Sequence, residues 1–181
     1  MSRFNRPGIL STTLATIMGA GALAACSEEK PGVTATNAVA EQTSKEKKLA
    51  EFKDALAKIE TDVNAFNNGK GLGAWIDEQA ARFPGIGFHF EGVFLPCVPD
   101  FDKIRENLDI GNYRRAVEML LMESESRISI FSRQWAAKNP NKAEKDSVSH
   151  ELVGIEFGIV TLASDIGRFA DEKEKAAIPS K

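Results

Sequence analysis

The chain has 181 residues, with 23 Lys and Arg against 26 Asp and Glu, and its formal net charge is −3 at pH 7. Nucleic-acid binding depends on clustered Lys and Arg that neutralise phosphates, so this mild acidity without a basic run argues against a nucleic-acid partner. A hydrophobic fraction of 43% provides enough apolar side chains for one core. Beyond residue 26, no uncharged apolar segment approaches the roughly 18 residues that a membrane-spanning helix needs.

The start of the chain has the pattern of an export signal. Arg3 and Arg6 form a small basic region, and no acidic residue occurs before Glu28. From Gly8 to Ala22 the chain is uncharged and rich in apolar and small residues. This run is too short to cross about 30 Å of hydrocarbon comfortably, which favours a cleaved secretory signal over a membrane span.

A four-residue motif, Leu23-Ala24-Ala25-Cys26, closes this segment and resembles the lipobox of bacterial lipoproteins. The resemblance covers only about the first 27 residues, and it implies cleavage between Ala25 and Cys26. It also implies a covalent S-diacylglycerol and an N-acyl chain on Cys26; lasting membrane anchorage needs more than one acyl chain. The other interpretation is an ordinary signal peptide cleaved after Ala-x-Ala. Ser27 follows the cysteine where Asp would favour the inner membrane, so the family's sorting rules favour the outer membrane.

The organisation that follows has four parts. We expect a cleaved signal peptide at 1–25, a lipidated cysteine with a flexible tether at 26–42, a helical domain at 43–175 and a frayed tail at 176–181. The stretch from Ser27 to Gln42 is small and polar, which is typical of a tether. The domain is therefore expected on the periplasmic side of a bacterial envelope.

Apolar residues at helical spacing predict the domain. A capping-box pattern over Thr43–Glu46 begins the first helix, and Asn67-Asn68-Gly69 ends it. Later segments predict helices at about 75–83, 100–108, 112–138 and 143–173. In the last of these, Gly154 and Gly158 share a face, which favours close approach of another helix. The predicted fold class is mainly α, a small bundle of four to five helices.

One segment, near 86–95, departs from helical spacing. From Ile86 to Glu91, apolar residues alternate with Gly, His and Glu, and Gly92 is expected to bend the chain before Val93. This period of two predicts a short extended segment. A single strand cannot satisfy its own backbone, so it must pair locally, lie as a strap across the helices or receive a strand from a partner.

The candidate binding surface comes from this region. Its members are aromatic or titratable side chains close together in sequence: Phe83, Phe88, His89, Phe90, Glu91 and Phe94. The competing interpretation is that the phenylalanines are simply core. Cys97 lacks an intrachain partner if Cys26 is lipidated, so it is either buried and inert or the source of an intermolecular disulfide.

Signatures of chemistry are absent from the sequence. His89 and His150 show no metal-ligating spacing, and neither Cys-x-x-Cys nor Gly-x-Ser-x-Gly occurs. We therefore expect no catalytic residue, no metal and no cofactor apart from the covalent lipid.

Two functional hypotheses remain. The first is a membrane-anchored, non-catalytic module that binds an envelope protein, as an envelope accessory, immunity or exclusion lipoprotein would. The second is a small-molecule or lipid-binding lipoprotein, or a weakly signalled enzyme, with the phenylalanine cluster as a pocket wall. Exposed phenylalanines in the folded domain would favour the first hypothesis, and a closed cavity beside them the second.

Overall fold

The structure is a computed structural model that describes residues 33–177, with side chains from residue 42 onward. The predicted signal peptide, the cleavage and lipidation sites at Ala25 and Cys26, and Ser27 lie outside the described residues. The described chain forms five helices: α1 (Val33–Gly69), α2 (Leu72–Arg82), α3 (Phe101–Asp109), α4 (113–138) and α5 (Lys142–Ala176). Two short strands, β1 (His89–Phe90) and β2 (Val93–Phe94), lie between α2 and α3. The predicted fold class, a mainly α bundle with one short extended segment, is confirmed.

Helix α1 begins earlier than the sequence patterns predicted. It starts at Val33, inside the stretch 26–42 that was expected to be a flexible tether, and Thr43 lies within the helix. No Pro or Gly occurs between Gly32 and Gly69, so nothing in the sequence interrupts the helix at Thr43. Every side chain from Gln42 to Lys48 is exposed. The part of α1 at 42–48 therefore stands clear of the core.

The end of α1 lies where it was predicted. Asn67 and Asn68 adopt φ of 51° and 59°, a left-handed conformation that asparagine tolerates better than most residues. The carboxylate of Glu151, on α5, accepts a hydrogen bond from the backbone N–H of Asn67 at 2.7 Å. This contact fixes the turn into α2 against the last helix.

An aromatic cluster forms the centre of the core. The fully buried Trp75 ring, on α2, meets three other rings edge to face, with centroids 5.0–5.6 Å apart: those of Phe66, Phe131 and Trp135. Burying a ring of this size contributes several kcal/mol, roughly 150–250 Å² at about 25 cal/mol per Å². The cluster therefore joins α1, α2 and α4 at one point.

Helix α5 packs against both α1 and α4. The ring of Phe169 meets Phe52 of α1 at 5.5 Å and Tyr113 of α4 at 5.2 Å. Gly158 allows the close approach that was predicted, because a Cβ there would lie 3.3 Å from Ile59. At Gly154, by contrast, a Cβ would meet nothing within 4 Å, so that glycine faces open space.

Helix α4 contains a π-helical segment in its middle. Regular α-helix over Tyr113–Glu118 gives way to a π-helix over Met119–Glu125 and resumes over Ser126–Lys138. The buried Ser124, a polar residue within the apolar stripe, donates its hydroxyl to the carbonyl of Met119 at 3.0 Å. The wider turn changes the angular phase of the residues that follow it.

Two further observations concern the cap of α3 and the absence of a membrane-spanning helix among the described residues. The side chain of Asp100 accepts from the backbone N–H of Lys103 at 3.1 Å and so caps α3, whose start agrees with the helix predicted at about 100–108. Within residues 33–177, no helix is both long enough and apolar enough to cross a membrane.

A buried hydrogen bond in the core gives the first testable prediction. Gln79 is 3% exposed, and its Oε1 accepts from the indole Nε1 of Trp135 at 3.0 Å. Gln79→Ala leaves the indole N–H buried without this partner, so we expect a loss of about 2–3 kcal/mol in the free energy of unfolding. The exposed Gln42→Ala is the matched control, expected within about 0.5 kcal/mol of wild type in urea denaturation. An equal effect in the two variants would contradict the role given to this contact.

Candidate binding surface

The extended segment pairs with itself as a small β-hairpin. In the antiparallel register His89 lies opposite Phe94, and Phe90 lies opposite Val93. The turn between the strands, Glu91 and Gly92, has positive φ at both residues, 49° and 82°, as two-residue hairpin turns require. Of the three arrangements that the sequence left open, local pairing is the one observed.

Two contacts at Gly87 fix the hairpin, one to the bundle and one within the hairpin itself. Its backbone N–H donates to the side-chain carbonyl of Gln134, on α4, at 2.5 Å. Its φ is 113°, and the ring of Phe94 lies so close that a Cβ on residue 87 would be 2.3 Å from it. The preceding residue, Ile86, is 2% exposed. The base of the hairpin is therefore held firmly while its turn projects outward.

The six candidate residues occupy different environments. Phe83 and Phe94 are half-buried and pack against the core, so the competing core interpretation holds for them. Phe88 is half-buried, with the guanidinium of Arg127 5.7 Å from its ring centroid. His89, Phe90 and Glu91 are exposed.

The alternation of apolar residues did not decide whether Phe90 is exposed or in the core. The Phe90 side chain is 61% exposed, although Ile86, on the same side of that alternation, is 2% exposed. The positive φ of Gly87 interrupts the extended backbone, so the period of two does not continue across it. As a result, the tip of the hairpin presents a large aromatic ring to solvent.

Val93 completes this surface, and the sequence analysis did not single it out. It is 62% exposed and lies directly across the hairpin from Phe90, so the two side chains lie on the same face. The turn sequence could have indicated a hairpin, and so the position of Val93 opposite Phe90. However, Glu-Gly is a weaker hairpin signature than Asn-Gly or Asp-Gly. Phe90 and Val93 together form what we call the hairpin tip.

Cys97 is buried beneath the hairpin. It is 1% exposed, and its thiol lies 3.8 Å from the carbonyl oxygen of Leu95. Burial raises the pKa of the Cys97 thiol to about 11, while the positive charge of Arg127 acts in the opposite direction. This environment favours the buried, inert thiol, because a partner chain's cysteine could not reach the sulfur for an intermolecular disulfide.

The described residues offer no cluster suited to a metal. Within the part of the chain that the structure describes, no three His, Cys, Asp or Glu side chains converge on a common point. His89 lies on the hairpin, whereas His150 lies on α5 beside the groove between α1 and α5.

Open clefts on the surface of the described residues include the following four. Three follow the groove between α1 and α5, with volumes of about 370, 450 and 280 Å³, and one of about 240 Å³ lies between the start of α4 and the end of α5. None of these four is lined by Phe83, Phe88, Phe90 or Phe94. The hypothesis that the phenylalanines form a pocket wall gains no support from them.

A second apolar surface lies on α5. The positions of α5 that are exposed between His150 and Arg168 are all uncharged: Val153, Gly154, Phe157, Val160, Thr161 and Ser164. Among them Phe157 is 72% exposed and Val153 is 61% exposed. We call these six positions the outer face of α5. The apolar spacing of the sequence predicted this helix but not a second apolar surface on it.

Comparison with known proteins adds no relative. No protein-family model matches the chain, and no curated protein or solved structure is significantly similar to it.

The hairpin base provides a prediction on stability. Gly87→Ala combines an unfavourable φ with a clash against the Phe94 ring, so we expect a loss of about 2 kcal/mol or more. Gly92→Ala has a similarly positive φ but open space around the new methyl group, and about 1 kcal/mol is expected. Thermal and urea unfolding of both variants measure the difference. Equal losses would mean that the contact with Phe94 does not hold the hairpin.

A half-buried carboxyl on α5 provides a prediction on pH. Burial, and then the negative charge of Glu125, raise the pKa of Glu156, while Arg133 lowers it. The ionised form of Glu156 is therefore disfavoured in the folded protein, which lowers the free energy of unfolding at pH values above the pKa of the carboxyl. At lower pH the carboxyl is protonated in both the folded and the unfolded state, and this loss of stability disappears. Glu156→Gln is expected to stabilise the protein by up to about 0.5 kcal/mol at neutral pH, with no gain in acid. Urea unfolding at several pH values, against the exposed Glu106→Gln, checks this; a gain that grows in acid would contradict it.

Proposed function

We propose that this chain is a bacterial lipoprotein, held in the cell envelope through Cys26, whose helical domain is a non-catalytic module that binds another envelope protein. The accessory, immunity and exclusion types of lipoprotein all fit this description. The signal pattern of residues 1–26 and the absence of catalytic signatures in the sequence support the proposal. Ser27 favours the outer membrane as the place of attachment.

The single observation that carries the binding role is the hairpin tip. Phe90 and Val93 are adjacent, each about three-fifths exposed, on a hairpin whose base is fixed to α4. Rigid, solvent-exposed aromatic side chains are favoured as interface anchors because little conformational entropy is lost when they are buried. Glu91 and His89, both exposed, provide polar groups at the edge of this apolar pair.

The start of α1 would hold the domain away from the membrane. Residues 33–48 are helical, and the side chains described among them, at 42–48, are exposed. The apolar stripe of α1 begins after them, at Leu49. A helix of this length extends roughly 24 Å at about 1.5 Å per residue. The proposal therefore assigns to α1 the role of a helical stalk, where the sequence had predicted a flexible tether alone.

Photo-crosslinking in intact cells tests this role. A photoreactive amino acid at position 90 should give a discrete adduct with an envelope protein, and the adduct should disappear in the Cys26→Ser background. The matched control is position 110, because Ile110 is 70% exposed but lies alone at the end of α3. No adduct at position 90, or equal adducts at both positions, would contradict the proposal.

The affinity prediction follows from the same surface. Replacing both residues, Phe90→Ser with Val93→Ser, removes the apolar contact, and we expect the partner's dissociation constant to rise at least about tenfold. Because both side chains are exposed, the free energy of unfolding should remain within about 0.5 kcal/mol of wild type. Unchanged affinity in a stably folded double variant would exclude the hairpin tip as the contact.

A further inference from the structure

The middle of α5 is apolar on two sides. On the inward side Leu152, Ile155, Ile159 and Leu162 are buried in the core. On the opposite side lies the uncharged outer face, and Glu156 is the only charged residue from 152 to 164. A helix that is apolar all round is normally covered all round. In the described domain, however, the outer face of α5 is left open to solvent, and along one side it borders the groove between α1 and α5.

Another helix of the same domain shows the usual alternative. Over a comparable stretch of α1, the exposed positions include Glu51, Asp54, Lys58 and Asp62. Charged residues keep such a surface in water, and their absence from the outer face of α5 marks it as a contact surface.

We propose that the outer face of α5 is an interface between two copies of this chain, which pack antiparallel about a two-fold axis at Phe157. The inference is independent of the hairpin tip and goes beyond the proposed function. Closed two-fold pairs, in which the same surface is used by both copies, are the commonest oligomers of soluble proteins.

The charges that border the outer face support this arrangement. Asp146 precedes Phe157 by eleven positions and Arg168 follows it by eleven, about 16 Å on either side. In an antiparallel pair, Asp146 of each copy therefore lies opposite Arg168 of the other. Lys142 and Glu172 are likewise equidistant from Phe157. A parallel pair would instead place like charges together, so charge complementarity selects the antiparallel orientation.

The shape of the face fits the same axis. Gly154 lies three positions before Phe157 and Val160 three positions after it, so each glycine lies opposite a valine of the other copy. A Cβ at position 154 would meet nothing within 4 Å, which leaves room for that valine side chain. Close helix packing of this kind needs a side chain on one helix and a gap on the other.

Sedimentation equilibrium of the full chain, carrying Cys26→Ser to prevent lipidation, tests the pairing. Asp146 and Arg168 have exposed side chains, 65% and 74%, so their replacement should not unfold the domain. Arg168→Asp or Asp146→Arg alone makes both symmetric contacts repulsive, and the dissociation constant of the dimer should rise about tenfold. The double exchange, D146R with R168D, restores opposite charges and should restore dimerisation. Lys47→Asp, on an exposed turn of α1, is the control for a simple change of charge.

Disulfide trapping gives a second test that does not depend on the charges. In the Cys26→Ser chain the remaining cysteine, Cys97, is buried, so a cysteine introduced on the outer face is the accessible thiol. Phe157→Cys should form a disulfide-linked dimer under mild oxidation, because the axis brings the two copies of residue 157 together. Val153→Cys should crosslink only in combination with Thr161→Cys. A chain that stays monomeric at every concentration, a double exchange as weak as the single ones, or adducts of Phe157→Cys with other proteins only, would each overturn the proposal.

Discussion

The fold depends on the packing of α5 along its length against two other helices. Phe169 illustrates this role, because one ring contacts α1 through Phe52 and α4 through Tyr113. At the other end of α5, Glu151 fixes the end of α1, and the half-buried Glu144 pairs with Arg82 of α2 at 3.1 Å. Since α5 contacts α1, α2 and α4, its remaining side, the outer face, is the part of this helix that the described domain leaves exposed.

The helical part of the fold was predictable from the sequence because helix-forming signals and core packing agree there. The apolar stripes and the Asp100 cap identify the helices within a few residues. The start of α1 was not predictable in this way. The Thr43–Glu46 pattern acts as a helix cap only when the preceding residues are not already helical. The π-helical segment around Ser124 was also beyond reach. The change to i→i+5 backbone hydrogen bonds over 119–125 has no marker in the sequence beyond the polar Ser124 within an apolar stripe.

The candidate site was predictable in its location but not in its composition. Phenylalanines close in sequence were grouped together, yet Phe83 and Phe94 belong to the core and Phe90 to the surface. What separates them is the backbone at Gly87 and the turn at Gly92. At Gly87 the backbone is fixed by a hydrogen bond to Gln134, which is distant in sequence, and by the Phe94 ring on the opposite strand. The exposed apolar groups of the described domain include two clusters of neighbouring residues, the hairpin tip and the outer face of α5. Contact surfaces of this kind suit a protein that acts by binding.

We propose that this domain works while attached to a membrane through Cys26, and the mass of the N-terminal peptide tests that proposal most directly. Protein extracted from the membrane fraction of its cells should begin at Cys26. That residue should carry the added mass of a diacylglyceryl group on sulfur and of an acyl chain on nitrogen. A chain that begins elsewhere, or an unmodified Cys26 in the soluble fraction, would contradict the account.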